Sequence, residues 1–146
     1  MFIFTSSLLA VFLAGILQIT PFAFWGNIKP NFLLVSILCL AGTLVKPWSE
    51  RFPLVALGLA MAKFSSSFFS FETIALLFAA LIGLLIIHYG PGNASVNILL
   101  GVALGTIAIY IMTFNFETLP IELIYNVGIA SACLALFSFI PIHKND

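Results

Sequence analysis

Charge is what this sequence has least of. Asp, Glu, Lys and Arg make up 7% of its 146 residues, five acidic against five basic, where a soluble domain carries about a quarter. So balanced and sparse a set offers no basic field for nucleic acid and no acidic tail for a basic partner. Cysteine is almost as scarce. Cys39 and Cys133 lie in separate apolar runs without CxxC spacing, which argues against a zinc site or a disulfide framework and for buried free thiols. His88 and His143 have no carboxylate or cysteine beside them, so they form no metal site. Walker-type glycine loops, GxSxG and HExxH are all missing. No catalytic set, cofactor site or metal site is therefore expected, and the chain reads as non-enzymatic.

What is present is hydrophobic: 62% of the residues and a mean hydropathy of +1.23. About 20 apolar residues make one helical crossing of a hydrocarbon core of about 30 Å, so this length holds about six crossings and no separate soluble domain. Residues 1–146 are thus expected to form a single integral membrane domain. Prolines, charges and Gly/Asn/Ser clusters divide it into six segments, Phe2–Ile19, Pro30–Val45, Phe52–Phe69, Thr73–His88, Val96–Phe114 and Ile121–Ile140. The second and fourth are short for a crossing. The runs are continuously apolar without period-two alternation, which disfavours a β-barrel, and the first lacks the basic start and cleavage site of a signal peptide. The fold class expected is an all-α bundle of about six transmembrane helices.

Loop lysines and arginines set orientation. Lys46, Arg51 and Lys144 fall on one side and Lys29 on the other, with Lys63 joining Lys29 if it snorkels outward. Both termini are therefore expected in the cytoplasm. Asn93-Ala94-Ser95, a glycosylation acceptor by pattern, then stays on the cytoplasmic side, in the turn signalled by Gly90-Pro91-Gly92.

Two features carry possible chemistry. Lys63 falls past the middle of the third segment and is followed by Ser65, Ser66 and Ser67. An intramembrane charge costs at least about 2.5–3.5 kcal/mol, so these residues either form a polar seam facing Gln18, Asn31 or Glu72, or Lys63 marks the end of a short helix. Glu72, Glu117 and Glu122 fall in expected loops and read as solvated charges. The second feature is small residues four apart, Gly101/Gly105 most clearly, with Ala10/Ala14, Gly58/Ala62 and Gly128/Ala132 as looser cases. Such spacing lets helices approach closely, either for internal packing or at a partner interface.

The stretch QITPFAFWGNIKPNFLL, Gln18 to Leu34, is the most structured loop signal. Pro30 suits the first helical position, so the second helix is expected to start there. Phe22, Phe24 and Trp25 suit an interfacial anchor, and Gln18 and Asn31 are placed to hydrogen-bond each other or a partner's backbone. Here the chain resembles the rod shape-determining MreD family. In that family a first helix ends in Leu-Leu-Gln, a loop with proline and aromatics follows, and Arg- or Lys-Pro then precedes Asn or Asp and a leucine-rich helix. This chain has Ile16-Leu17-Gln18, Thr20-Pro21-Phe22 and Lys29-Pro30-Asn31-Phe32-Leu33-Leu34. The family's third helix carries an aspartate after glycine; here Gly58 is followed by Lys63 and the serines. The resemblance implies a scaffold of the bacterial inner membrane in the cell-wall elongation complex. Its implied partners are MreC and, directly or indirectly, MreB, RodA and a class B penicillin-binding transpeptidase. Ala10-Val-Phe-Leu-Ala14 also resembles the docking motif of the membrane substrate-binding subunits of energy-coupling-factor vitamin transporters, which are similar in overall fold. A vitamin-binding transporter subunit is the competing expectation.

Overall fold

A helix without a charge, apolar on every face, is stable only when other elements or lipid surround it, and one too short to span a bilayer needs other elements. The second helix of this protein is such a case, and the architecture is arranged about it. The computed structural model describes residues 2–20, 28–45, 47–65, 71–114 and 116–139, all as helix or connecting turn. Pro21, Phe22, Phe24, Trp25, Lys46, Ser66, Ser67, His143 and Lys144 lie outside the described residues.

Six helices follow one another: α1 Phe2–Ile19, α2 Phe32–Thr43, α3 Trp48–Ser65, α4 Phe71–Tyr89, α5 Ala94–Thr113 and α6 Leu119–Ser138. The α4, α5 and α6 helices are long and apolar enough to cross a membrane, whereas α1 and α2 are apolar but shorter. With 12 residues, α2 is about 18 Å long, well short of a bilayer core. It touches all five other helices, and eight of its residues, among them Leu33, Leu34, Ile37 and Leu38, are buried. Around it α1, α3, α4, α5 and α6 form an open arc in that order, each touching the next, with no contact between α6 and α1 among the described residues.

The helix limits correct the sequence reading in four places. The second helix begins at Phe32, with Asn31 as its N-cap accepting from the Leu34 N–H at 3.0 Å; the Asn31 side chain, rather than the fixed φ of Pro30, sets the start. The third begins at Trp48, because the polar turn Ser49-Glu50-Arg51 is helical and Pro53 is accommodated in the second turn. The fourth has 19 residues, so it is not short. The sixth begins at Leu119, so that Pro120 lies in its first turn.

Close packing relies on small residues. A Cβ added to Gly101 would stand 3.0 Å from the carbonyl oxygen of Gly83, and one added to Gly105 would stand 3.1 Å from that of Ala79. The pair Gly101/Gly105 on α5 thus meets Ala79/Gly83 on α4 in antiparallel register, bringing the two backbones together as GxxxG contacts do. On the other side of the bundle Gly58 admits Ile37 and Gly15 admits Met61. Ala14 is buried and Ala10 half-buried.

Between α2 and α3, Arg51 closes the lower end of the core helix. It is 6% exposed, its Nε donates to the Val45 carbonyl at 2.9 Å, and its guanidinium lies 5.3 Å from the Trp48 ring centre. A cation just past the C-terminal end of a helix offsets the partial negative charge there. Trp48 in turn meets the His88 ring edge-on at 5.5 Å. The next turn is braced by Asn97, whose amide donates to Gly90 O at 3.1 Å and accepts from Gly92 N at 2.9 Å. Asn93 caps α5 through Val96 N, so the acceptor asparagine of the glycosylation pattern is a helix cap.

A polar cavity where six helix ends meet

Opposite Arg51, the C-terminal ends of α1, α3 and α5 and the N-terminal ends of α2, α4 and α6 converge on one cavity of about 300 Å³. Its wall includes Gln18 from α1, Asn31 beside α2, Ala62 from α3, Glu72 and Thr73 from α4, Tyr110 and Thr113 from α5, Glu122 from α6, and Lys29 from the connection before α2. That one space collects all six ends follows from up-and-down alternation of the helices.

Hydrogen bonds tie the α1 and α2 side together. The Phe32 N–H, one of the donors a helix start leaves without an intrahelical partner, donates to Gln18 Oε1 at 2.9 Å. Lys29 Nζ donates to the carbonyls of Gln18 and Thr20, holding the last turn of α1 against the connection. Partial burial pulls the Lys29 pKa below its ordinary value, but the two accepted carbonyls are matched by the ammonium form. The sequence expectation that Gln18 and Asn31 bond each other is replaced by this arrangement: Gln18 bonds the backbone beyond Asn31, and Asn31 turns to α6.

The Asn31 backbone N–H donates to Asn126 Oδ1 at 2.8 Å. Asn126 is fully buried, and its Nδ2 donates to Thr106 Oγ1 at 3.0 Å and to Glu122 Oε1 at 3.4 Å. Glu122 also accepts from the Tyr110 hydroxyl, which pairs with Thr118 Oγ1 at 2.8 Å. One chain of polar groups thus runs from the start of α2 through α6 into α5. The Glu122 carboxylate, expected in a solvated loop, is half-buried in the first turn of α6. Its negative charge there is favoured by the N-terminal helix dipole.

The other singled-out residues are distributed as follows. Lys63 is exposed, in the last described turn of α3. Glu72 is exposed in the first turn of α4, at the rim of the cavity, and Glu117 is exposed between α5 and α6. Pro30 is buried beneath the α2 start. Cys39 and Cys133, remote in sequence, face each other between α2 and α6 as free thiols.

Sequence reading missed Asn126, Thr106 and Tyr110. Each is a single polar residue inside an apolar run, but spacing held a signal: Glu122 and Asn126 are four apart, as are Thr106 and Tyr110, so each pair shares a helix face. Compared with protein-family models, with curated proteins and with solved structures, the chain matches none.

Proposed function

We propose that this protein is a non-enzymatic membrane scaffold of the bacterial cell-wall elongation complex, similar to MreD. In this reading it crosses the inner membrane six times with both ends in the cytoplasm. It acts through helix-to-helix contacts with an MreC-like protein and, directly or indirectly, with MreB, RodA and a class B penicillin-binding transpeptidase.

The observation that carries the reading is what the motif residues do. Gln18, Lys29 and Asn31, which bear the resemblance, bond backbone groups of this chain at the junction of α1, α2 and α6. They fasten the end of α1 to the start of α2 and α2 to α6, and a scaffold needs fixed faces more than a mobile reaction site. Convergence of the helix ends on one cavity supports the six-span alternation, and Arg51 at the opposite end agrees with the positive-inside rule.

The face offered to a partner is assigned to α6. Among the described residues it packs only on α2 and α5, and Ile124, Gly128, Ser131, Ala132, Ala135 and Leu136 are exposed along it. A Cβ added to Gly128 meets nothing within 4 Å, so a second helix can approach there as closely as α4 approaches α5. Gly128→Leu is expected to leave the melting temperature unchanged and to reduce recovery of an MreC-like partner at least about tenfold, equivalent to about 1.4 kcal/mol. Quantitative co-purification from detergent measures it; undiminished recovery would move the interface off α6.

A second reading, the substrate-binding subunit of a vitamin-type transporter, is favoured by the polar cavity, whose size is at the lower end of the range of about 300–1,000 Å³ for ligand pockets. It is weakened by Ala10-Val-Phe-Leu-Ala14, because Ala14 is buried in the bundle, away from any docking partner.

A further inference from the structure

The cavity has two chemically opposite walls. On the α1 and α2 side the groups are donors. Lys29 brings an ammonium whose charge is only partly matched by the Gln18 and Thr20 carbonyls it donates to, and Gln18 and Asn31, whose amide oxygens serve Phe32 and Leu34, keep their NH₂ groups as donors. On the α4, α5 and α6 side the groups are acceptors: the Glu72 carboxylate at the rim, the Glu122 carboxylate half-buried behind it and the Thr113 hydroxyl.

We propose that this cavity binds a small zwitterion, a molecule with a primary ammonium and a carboxylate or phosphate a few bonds apart. A lone anion would meet Lys29 but face two carboxylates, and a lone cation would meet the carboxylates but face Lys29. A molecule carrying both charges satisfies both walls and brings no net charge into a site bordered by apolar helices. The volume of about 300 Å³ suits a molecule of amino-acid or headgroup size. Glu72 is the better of the two acids to alter, since it makes no hydrogen bond or ion pair with the described residues, whereas Glu122 is part of the internal network. The inference rests on the cavity alone and is independent of the scaffold reading, which partner recovery tests separately.

The test is thermal unfolding of the full chain in detergent, with O-phosphoethanolamine and β-alanine as zwitterions and ethanolamine, acetate and inorganic phosphate as their single-charge counterparts. Each is used at about 10 mM, enough to stabilise a site with a Kd of about 1 mM. The expected result is that at least one zwitterion raises the melting temperature more than twice as far as ethanolamine, acetate or phosphate. Glu72→Gln should weaken that response at least fivefold in half-maximal concentration while keeping the unliganded melting temperature. Repeating the titration in bilayer discs separates the sources. A response kept in phosphatidylcholine discs but absent in phosphatidylethanolamine discs assigns the site to a lipid headgroup, and a response in both assigns it to a soluble zwitterion. Either of those supports the inference. No response to either zwitterion in detergent overturns it, as does an equal response to a single-charge probe or an undiminished response in Glu72→Gln.

Discussion

Asn126→Leu is expected to lower the stability of the folded protein by about 2–3 kcal/mol, read as a fall in the midpoint of unfolding in detergent. Leucine has the same number of side-chain heavy atoms as asparagine with the same branching, so the loss does not come from an emptied cavity. It comes from the Asn31 backbone N–H, which donates to Asn126 Oδ1 at 2.8 Å and would be left half-buried without that partner, a deficit within the range of about 1–3 kcal/mol for an unsatisfied donor. Glu122 and Thr106 each lose a donor as well. Interhelical hydrogen bonds in membrane proteins average only about 0.6 kcal/mol when both partners can find substitutes. Thr106→Val, which removes one acceptor and leaves Asn126 bound to Asn31, should therefore cost less than about 1 kcal/mol. The ordering of the two variants matters more than either value. Equal effects would mean that the asparagine does not join α2 to α6.

Gly101→Leu is expected to destabilise the bundle by at least about 3 kcal/mol, the upper end of the ordinary overpacking range. Its added Cβ would stand 3.0 Å from Gly83 O and 3.3 Å from Gly83 Cα. Both are backbone atoms, so the clash is relieved only by moving α4 and α5 apart, and that is the most extensive helix pair in the molecule. Gly58→Ala makes a useful contrast, because its added Cβ meets the flexible end of Ile37, which can rotate away. Yield and unfolding midpoint from membranes check both. A Gly101→Leu variant as stable as the parent would mean that the α4 and α5 backbones do not approach as described.

These two residues illustrate what sequence alone conveys. Gly101/Gly105 is visible as a spacing, and so is its counterpart Ala79/Gly83, but pairing them requires knowing that α4 and α5 run antiparallel in contact. The limits of α1 were legible because hydropathy and helix end together at Ile19. Those of α3 were not, because the helix begins in the polar turn at Trp48, where amphipathic helix and loop look alike in a hydropathy trace. Gln18, Lys29, Pro30 and Asn31 stood out as a polar group between two apolar runs. Asn126 did not, since a single amide in an apolar helix gains meaning only from the N–H it faces across the bundle. Glu122 reads as a loop residue in the sequence for a related reason: it comes two residues after Pro120, and proline ends a helix as readily as it begins one. Here it lies near the start, and the carboxylate turns inward to Tyr110 and Asn126.

Affinity purification of the tagged full chain from detergent-solubilised cell membranes, with the partners identified by mass spectrometry, is the sharpest test of the proposed MreD-like scaffold role. The account predicts recovery of an MreC-like protein, with or without a RodA-like one, and loss of both from Gly128→Leu at unchanged folding. Recovery of a transporter ATPase module instead, or a chain that purifies without any elongation protein, would contradict it.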